Sequence, residues 1–149
     1  QRHFPLLLRW LMAPHVRAWW DPKTQWTLEA ITAKYLPRTM PDSSIHCYII
    51  LLDDAPIGYI QHYNYYAIPK HEQLADLPTS LAAFDLFIGE EECTGRGIGS
   101  AALRTFLKTY SDPHYEYVFV QPKRENHAAI RAYEKAGFIW YGTYMLRRG

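Results

Sequence analysis

Cysteine is scarce. Only Cys47 and Cys93 occur, with no CxxC pair, which leaves nothing for a disulfide framework or a thiolate metal cluster and suits a reducing, cytoplasmic setting. No apolar run approaches the roughly 18 residues that a membrane span needs, and no secretory leader is visible. The histidines show no HExxH-type spacing, so no metal is expected. An excess of one charge is also missing. Sixteen Lys and Arg face fifteen Asp and Glu, so the strongly basic face of a nucleic-acid binder is absent. There is no repeat, linker or low-complexity tract. Gln1, not Met, opens the chain, which leaves open a further strand ahead of it.

What is abundant is aromatic. Twelve Tyr and five Trp in 149 residues exceed what a core needs, and such side chains suit pockets with flat walls and a polar tip. The length is that of a single domain, expected over residues 1–149. Helical spacing is expected over Phe4–Met12, with Pro5 near its start, and over Leu28–Leu36, with Thr27 as N-cap and Pro37 as stop. Strands are expected at Cys47–Leu52, Ile57–Tyr66, Leu81–Ile88 and Tyr117–Val120. Asp53 to Pro56 forms a turn, and Lys70–Ser80 a polar loop. In the second strand Tyr59, Gln61, Tyr63 and Tyr65 would share one face. Asn126–Ala136 reads as a helix ended by Gly137, and Phe138–Leu146 as a closing strand or hairpin arm. This order gives a mixed α/β fold.

Gly95-Arg96-Gly97-Ile98-Gly99-Ser100 follows a strand and opens a helix in which Leu103, Phe106 and Leu107 recur at helical spacing. The first amides of a helix lack internal partners and carry partial positive charge, so a phosphate or diphosphate suits them. Glycines let the backbone approach such a ligand, and Arg96 can add a charge-assisted bond. The string is neither GxGxxG nor a P-loop. By itself it is equally a flexible turn with a helix start.

A second segment weighs in. Asn126-His127-Ala128-Ala129-Ile130-Arg131-Ala132-Tyr133-Glu134-Lys135-Ala136-Gly137-Phe138 resembles the last helix motif of the GNAT acetyltransferases, at the expected distance after a GxGxG loop. Within that family the pieces Trp19-Trp20, Pro56 to Tyr63, Phe84 to Gly89 and Gly142-Thr143 are most similar to the aminoglycoside 6′-N-acetyltransferases. The resemblance implies a splayed central mixed sheet flanked by helices, with acetyl-CoA as the acetyl donor and a small-molecule primary amine as acceptor, the 6′-amine of an aminoglycoside or a similar polyamine. It implies neither a nucleic-acid nor a membrane partner, and a monomer or homodimer. Three features depart from the pattern. Thr94 stands where Gln or Arg is usual, Gln121-Pro122 replaces Asp-Pro, and the 65–80 loop is less acidic, with Glu72 and Asp76 remaining.

The resemblance also assigns roles. Asp85, a carboxylate within an apolar strand, would be the general base; otherwise it is a structural Asp. Tyr133 would be the general acid at the sulfur, or a core residue beside Ala129. Leu86, Phe87 and Ile88 would pair through their backbone with the pantetheine, like an added strand. Thr94, Gly95, Arg96, Gly97, Ile98, Gly99 and Ser100 would hold the diphosphate, and Asn126 the pantetheine, as a helix cap or both. Trp19, Trp20, Asp21, Gln61, Tyr63 and Gln121 would meet the acceptor, with one tryptophan in the core. Glu90, Glu91 and Glu92 read as a solvated turn or an acidic rim. His62 is an alternative base and keeps a siderophore-type N-acyltransferase acting on a hydroxylysine-like amine in view. A non-catalytic CoA-binding module is the third reading.

Overall fold

A computed structural model describes residues 1–69, 74 and 76–149. Part of the expected 70–80 loop, residues 70–73 with Glu72 and residue 75, lies outside the described residues. Helix α1 (Phe4–Met12) forms where expected, with Pro in its first turn. Its Phe4, Leu7, Trp10 and Leu11 are buried, the three-and-four spacing of one helix face. Pro14 then opens a single unexpected turn, α2 (Pro14–Arg17). Helix α3 (Leu28–Tyr35) is capped by Thr27, whose hydroxyl accepts the Ala30 N–H at 3.1 Å. It ends one residue early. Pro37 has no N–H to continue the ladder, and Leu36–Thr39 tightens into a 3-10 turn instead.

Strand β1 (Ile45–Leu52) turns straight into β2 (Ala55–Asn64). Asp53 and Asp54 both take left-handed φ, 49° and 65°, as a two-residue hairpin turn requires. Strand β2 stops at Asn64, whose side chain accepts the Tyr66 N–H at 2.9 Å and starts a 3-10 turn, Tyr65–Ala67. Tyr65 therefore leaves the strand face expected for it and packs 4.8 Å from the Phe119 ring. Strands β3 (Leu81–Ile88) and β4 (Tyr117–Val120) match expectation. Helix α4 (Ile98–Phe106) runs on into a π turn at Leu107–Ser111. Helix α5 (His127–Lys135) has Asn126 as N-cap, and Gly137 follows with φ 100°. The expected closing strand is two strands, β5 (Ile139–Tyr141) and β6 (Tyr144–Arg148). Gly142, with φ 69°, makes the turn that divides them.

The six strands bond in the order β1-β2-β3-β4-β6-β5. The sheet is mixed: β3 and β4 are parallel, in register from Leu81–Tyr117 to Ala83–Phe119, whereas β4–β6 and β5–β6 are antiparallel. Among the described residues no helix is long and apolar enough to cross a membrane.

The chain forms two compact units, residues 1–61 with 86–94 and residues 62–85 with 95–149. In the first, Trp10, Leu11 and Ile31 are fully buried. Trp10 meets Phe87 edge-on at 6.0 Å and Tyr59 stacks on Phe87 at 5.5 Å. In the second, Leu81, Leu103, Leu107, Val118 and Met145 are fully buried. Phe84 packs against Tyr133 and Phe138, and Arg147 forks onto Asp112 at 2.7 and 3.1 Å.

Gly89 is required by close approach. A Cβ there would lie 2.1 Å from the Trp10 ring, and Trp10 is enclosed and cannot yield. Gly89→Ala should cost about 1–3 kcal/mol, the usual price of overpacking, read as a lower urea midpoint with unchanged slope.

Candidate functional site

The second unit carries a backbone cradle. Gly95 and Gly97 have φ of 70° and 76°, conformations that L side chains rarely adopt. A Cβ at either would meet nothing within 4 Å, so backbone conformation and not crowding calls for glycine. Gly97 is the N-cap of α4, and no side chain caps that end. The first helical bond runs from the Ala101 N–H to the Gly97 carbonyl at 3.1 Å, which leaves the amides of Ile98, Gly99 and Ser100 without intrahelical partners. Ser100 is buried and donates to the Gly97 carbonyl at 3.1 Å. Arg96 is exposed on the same loop.

Further groups belong to that unit. Asp85 is half-buried on β3 and accepts the Tyr63 hydroxyl at 3.2 Å. Tyr133, on the buried face of α5, meets Phe84 edge-on at 5.5 Å. Burial pushes its phenol pKa up, and the negative charge of Asp85 adds to the shift. Tyr133 is thus protonated at any working pH. Asn126 caps α5 by accepting the Ala129 N–H at 3.2 Å, which leaves its amide NH2 as the donor end. Gln121 is exposed, and its amide donates to the Thr143 carbonyl at 3.4 Å.

His62, the alternative base, is buried and engaged elsewhere. Its Nε2 is 3.1 Å from the Ser111 hydroxyl, and its ring lies edge-on to Phe106 and Tyr115. The strand period turns it away from the face that holds Tyr63.

The first unit holds the other expected positions. The Ile88 carbonyl accepts a bond from His15 Nε2 at 2.9 Å. Phe87 is buried among Trp10, Trp20 and Tyr59, and Leu86 is half-buried. Trp20 packs edge-on to Phe87 and Tyr59, whereas Trp19 is 44% exposed, so Trp20 is the core member of the pair. The Asp21 carboxylate is held by Lys34 at 2.6 Å. Buried Gln61 accepts from Arg38 at 2.7 Å and from the Tyr59 hydroxyl at 2.8 Å. Sequence reasoning missed Lys34 and Arg38, because basic residues at a helix end read only as partners for its dipole.

Glu90 is not part of an acidic rim. It accepts from Arg9 at 2.5 Å and from the Trp10 indole N–H at 2.6 Å. Glu91 to Cys93 forms a 3-10 turn, and Thr94 folds its hydroxyl back onto the Glu91 carbonyl at 2.6 Å. The segment that feeds the cradle is thereby tied to α1.

The sequence pattern described as the Acetyltransferase (GNAT) domain matches residues 1–145. The aminoglycoside N(6′)-acetyltransferase type 1 of Klebsiella pneumoniae is 29% identical over 140 residues, covering 93% of this chain and 70% of that protein; that of Serratia marcescens matches equally. The structure of AAC(6′)-Ib in complex with paromomycin and acetyl-CoA superposes with a TM-score of 0.88 at 27% identity, over 99% of this chain and 88% of that one. The same protein with coenzyme A and kanamycin gives 0.86 at 27%, over 99% and 90%.

The Glu90 tether has a defined acid limit. Its bonds from Arg9 and Trp10 hold the carboxyl below its ordinary value of 4.5. The stabilisation is therefore complete above 4.5 and is lost as pH falls from there through the lowered value of the folded chain. Melting curves between about pH 3 and pH 7 should show Glu90→Gln less stable than the parent above that limit and the two converging below it.

Proposed function

The chain belongs to the GNAT acetyltransferase family, and on that footing we propose that it transfers an acetyl group from acetyl-CoA to a primary amine, the 6′-amine of an aminoglycoside or a similar polyamine. The observation that carries the reading is the uncapped start of α4 behind two left-handed glycines, in the same compact unit as Asp85, Tyr63 and Tyr133. The named activity of the relatives supports the acceptor class.

The residues fit the donor. The amides of Ile98, Gly99 and Ser100, with Thr94, Gly95, Arg96 and Gly97, offer hydrogen bonds and partial positive charge to a diphosphate. Asn126 keeps its NH2 for the pantetheine arm after its oxygen has capped α5. Leu86, Phe87 and Ile88 are the backbone we assign to the pantetheine amides. Acetyl-CoA supplies an activated thioester carbonyl, and its use fits a cytoplasmic enzyme.

In direct transfer the amine nitrogen bonds to the thioester carbon, the carbon–sulfur bond breaks, and the amine loses one proton. Asp85 accepts that proton, directly or through water, and the Tyr63 hydroxyl fixes the orientation of the carboxylate. Tyr133 donates to the departing sulfur. Its raised pKa makes it a weak acid in driving force but a permanent hydrogen-bond donor. Tyr63 and Gln121, in the same unit as Asp85, are assigned to the acceptor. With its carboxylate on Lys34, Asp21 is a weaker magnet for an ammonium than its bare charge suggests. The engagement of His62 with Ser111 argues against the His-based siderophore alternative.

Asp85→Asn should lower kcat by about 100-fold or more, the range for loss of a general base, while calorimetry still records coenzyme A binding. Unchanged turnover would remove Asp85 from the reaction. Tyr133→Phe should lower kcat more than it raises KM for acetyl-CoA. An equal loss in both would assign Tyr133 to packing against Phe84. Absence of any heat with coenzyme A, from folded protein, would sink the function itself.

A further inference from the structure

We propose that Arg147 is a positioning residue for the reaction: with Asp112 behind it, its guanidinium ties the last turn of α5 to the end of the α4 extension and so fixes where the Tyr133 hydroxyl stands. The inference rests on Tyr133 acting at the departing sulfur. All the groups it uses lie in the second compact unit.

Its first support is how little apolar contact holds α5. Between His127 and Lys135 the one buried side chain is Tyr133. Ala129, Ile130 and Ala132 are half-buried, and contacts so few and non-directional fix the axial position of a helix weakly. The helix is held instead by polar bonds at its ends. Asn126 caps the start. At the finish Arg147 Nε donates to the Ala136 carbonyl at 3.1 Å, and Arg104 Nη1 donates to the Lys135 carbonyl at 3.3 Å. Ala136 stands one turn beyond Tyr133, about 4.5 Å along the axis, so a shift at this anchor is felt at the phenol.

The second support is what stands behind Arg147. Its two terminal nitrogens meet the two oxygens of Asp112 at 2.7 and 3.1 Å, with the side chains only 17% and 22% exposed. A guanidinium forked onto a carboxylate and largely out of water is a stiff strut and not a floating charge. The π turn Leu107–Ser111 brings Asp112 to it. That turn is closed by the Asp112 N–H on the Leu107 carbonyl at 2.8 Å. One extra residue in a turn changes by about 100° the direction in which the next side chain leaves the helix, and here that side chain is Asp112. One guanidinium on β6 thus joins the end of the α4 extension to the end of α5, one turn from the phenol.

The test is a double-mutant cycle between Arg147→Lys and Tyr133→Phe, with kcat read by thiol release from acetyl-CoA in the presence of kanamycin or spermine. Lysine keeps a positive charge beside Asp112 but cannot fork onto it and hold the Ala136 carbonyl as well. In the parent background Arg147→Lys should lower kcat about 10-fold, inside the roughly 100-fold that a misplacement of about 1 Å can cost. In the Tyr133→Phe background, where no hydroxyl is left to place, the same substitution should change kcat by less than about twofold. Asp112→Asn, which takes away the charge behind the strut, should repeat the pattern, and it decides the matter if melting curves show Arg147→Lys unfolded at the assay temperature. A loss of kcat by the same factor in both backgrounds would make Arg147 a purely structural residue and overturn the inference, with the acetyltransferase reading left standing. Parent-like turnover by Tyr133→Phe would overturn it through its premise and again spare the rest of that reading. No thiol release by the folded parent with either amine, with coenzyme A bound, would overturn both.

Discussion

Two left-handed residues govern the site. With Gly95 and Gly97 at φ 70° and 76°, the chain enters α4 without a capping side chain. A Ser or Asp at the cap would have satisfied one of those amides. The fold forgoes that stabilisation and keeps a row of donors aligned with the positive end of the helix dipole. The anchoring upstream follows from the same need. Gly89 lies flat against Trp10, Glu90 is held by Arg9 and Trp10, and Thr94 bonds back to Glu91. A cradle made of backbone is only as well placed as the chain leading into it.

The chemistry next to that cradle comes from contrast in environment. Asp85 is half-buried and hydrogen-bonded by a phenol, while Tyr133 is sealed between aromatic rings. The carboxylate is the more exposed of the two, and burial holds the phenol protonated. The charge of Asp85 adds to the effect of burial in raising the pKa of Tyr133, so the two groups are coupled electrostatically.

Much of the fold was legible because local signals agreed. The boundaries of α1, β3 and β4 followed from periodicity, and the caps Thr27 and Asn126 from residue type and position. The lapses have local causes too. Pro37 shortened α3, Asn64 drew Tyr65 out of its strand, and Gly142 split the last strand into a hairpin. The glycine loop and the last helix were legible as local structure, because a motif fixes their residues along the chain. The site was not legible where partners meet across long sequence separations. Nothing around position 38 announces Gln61, and nothing in the Glu90–Glu92 run announces Arg9. Ion pairs and amide orientation depend on tertiary neighbours, and a single sequence does not record them.

The Cys47 side chain has a practical consequence. Burial raises its thiol pKa, and the thiol lies 3.0 Å from the Tyr59 hydroxyl, so at neutral pH it is held as S–H, the form that does not attack disulfides. Cys93, the other free cysteine, is buried. Aromatic disulfide reagents that count liberated thiols will therefore read a low, steady background from the folded polypeptide. A rising baseline before any amine is added would then report unfolding and not turnover.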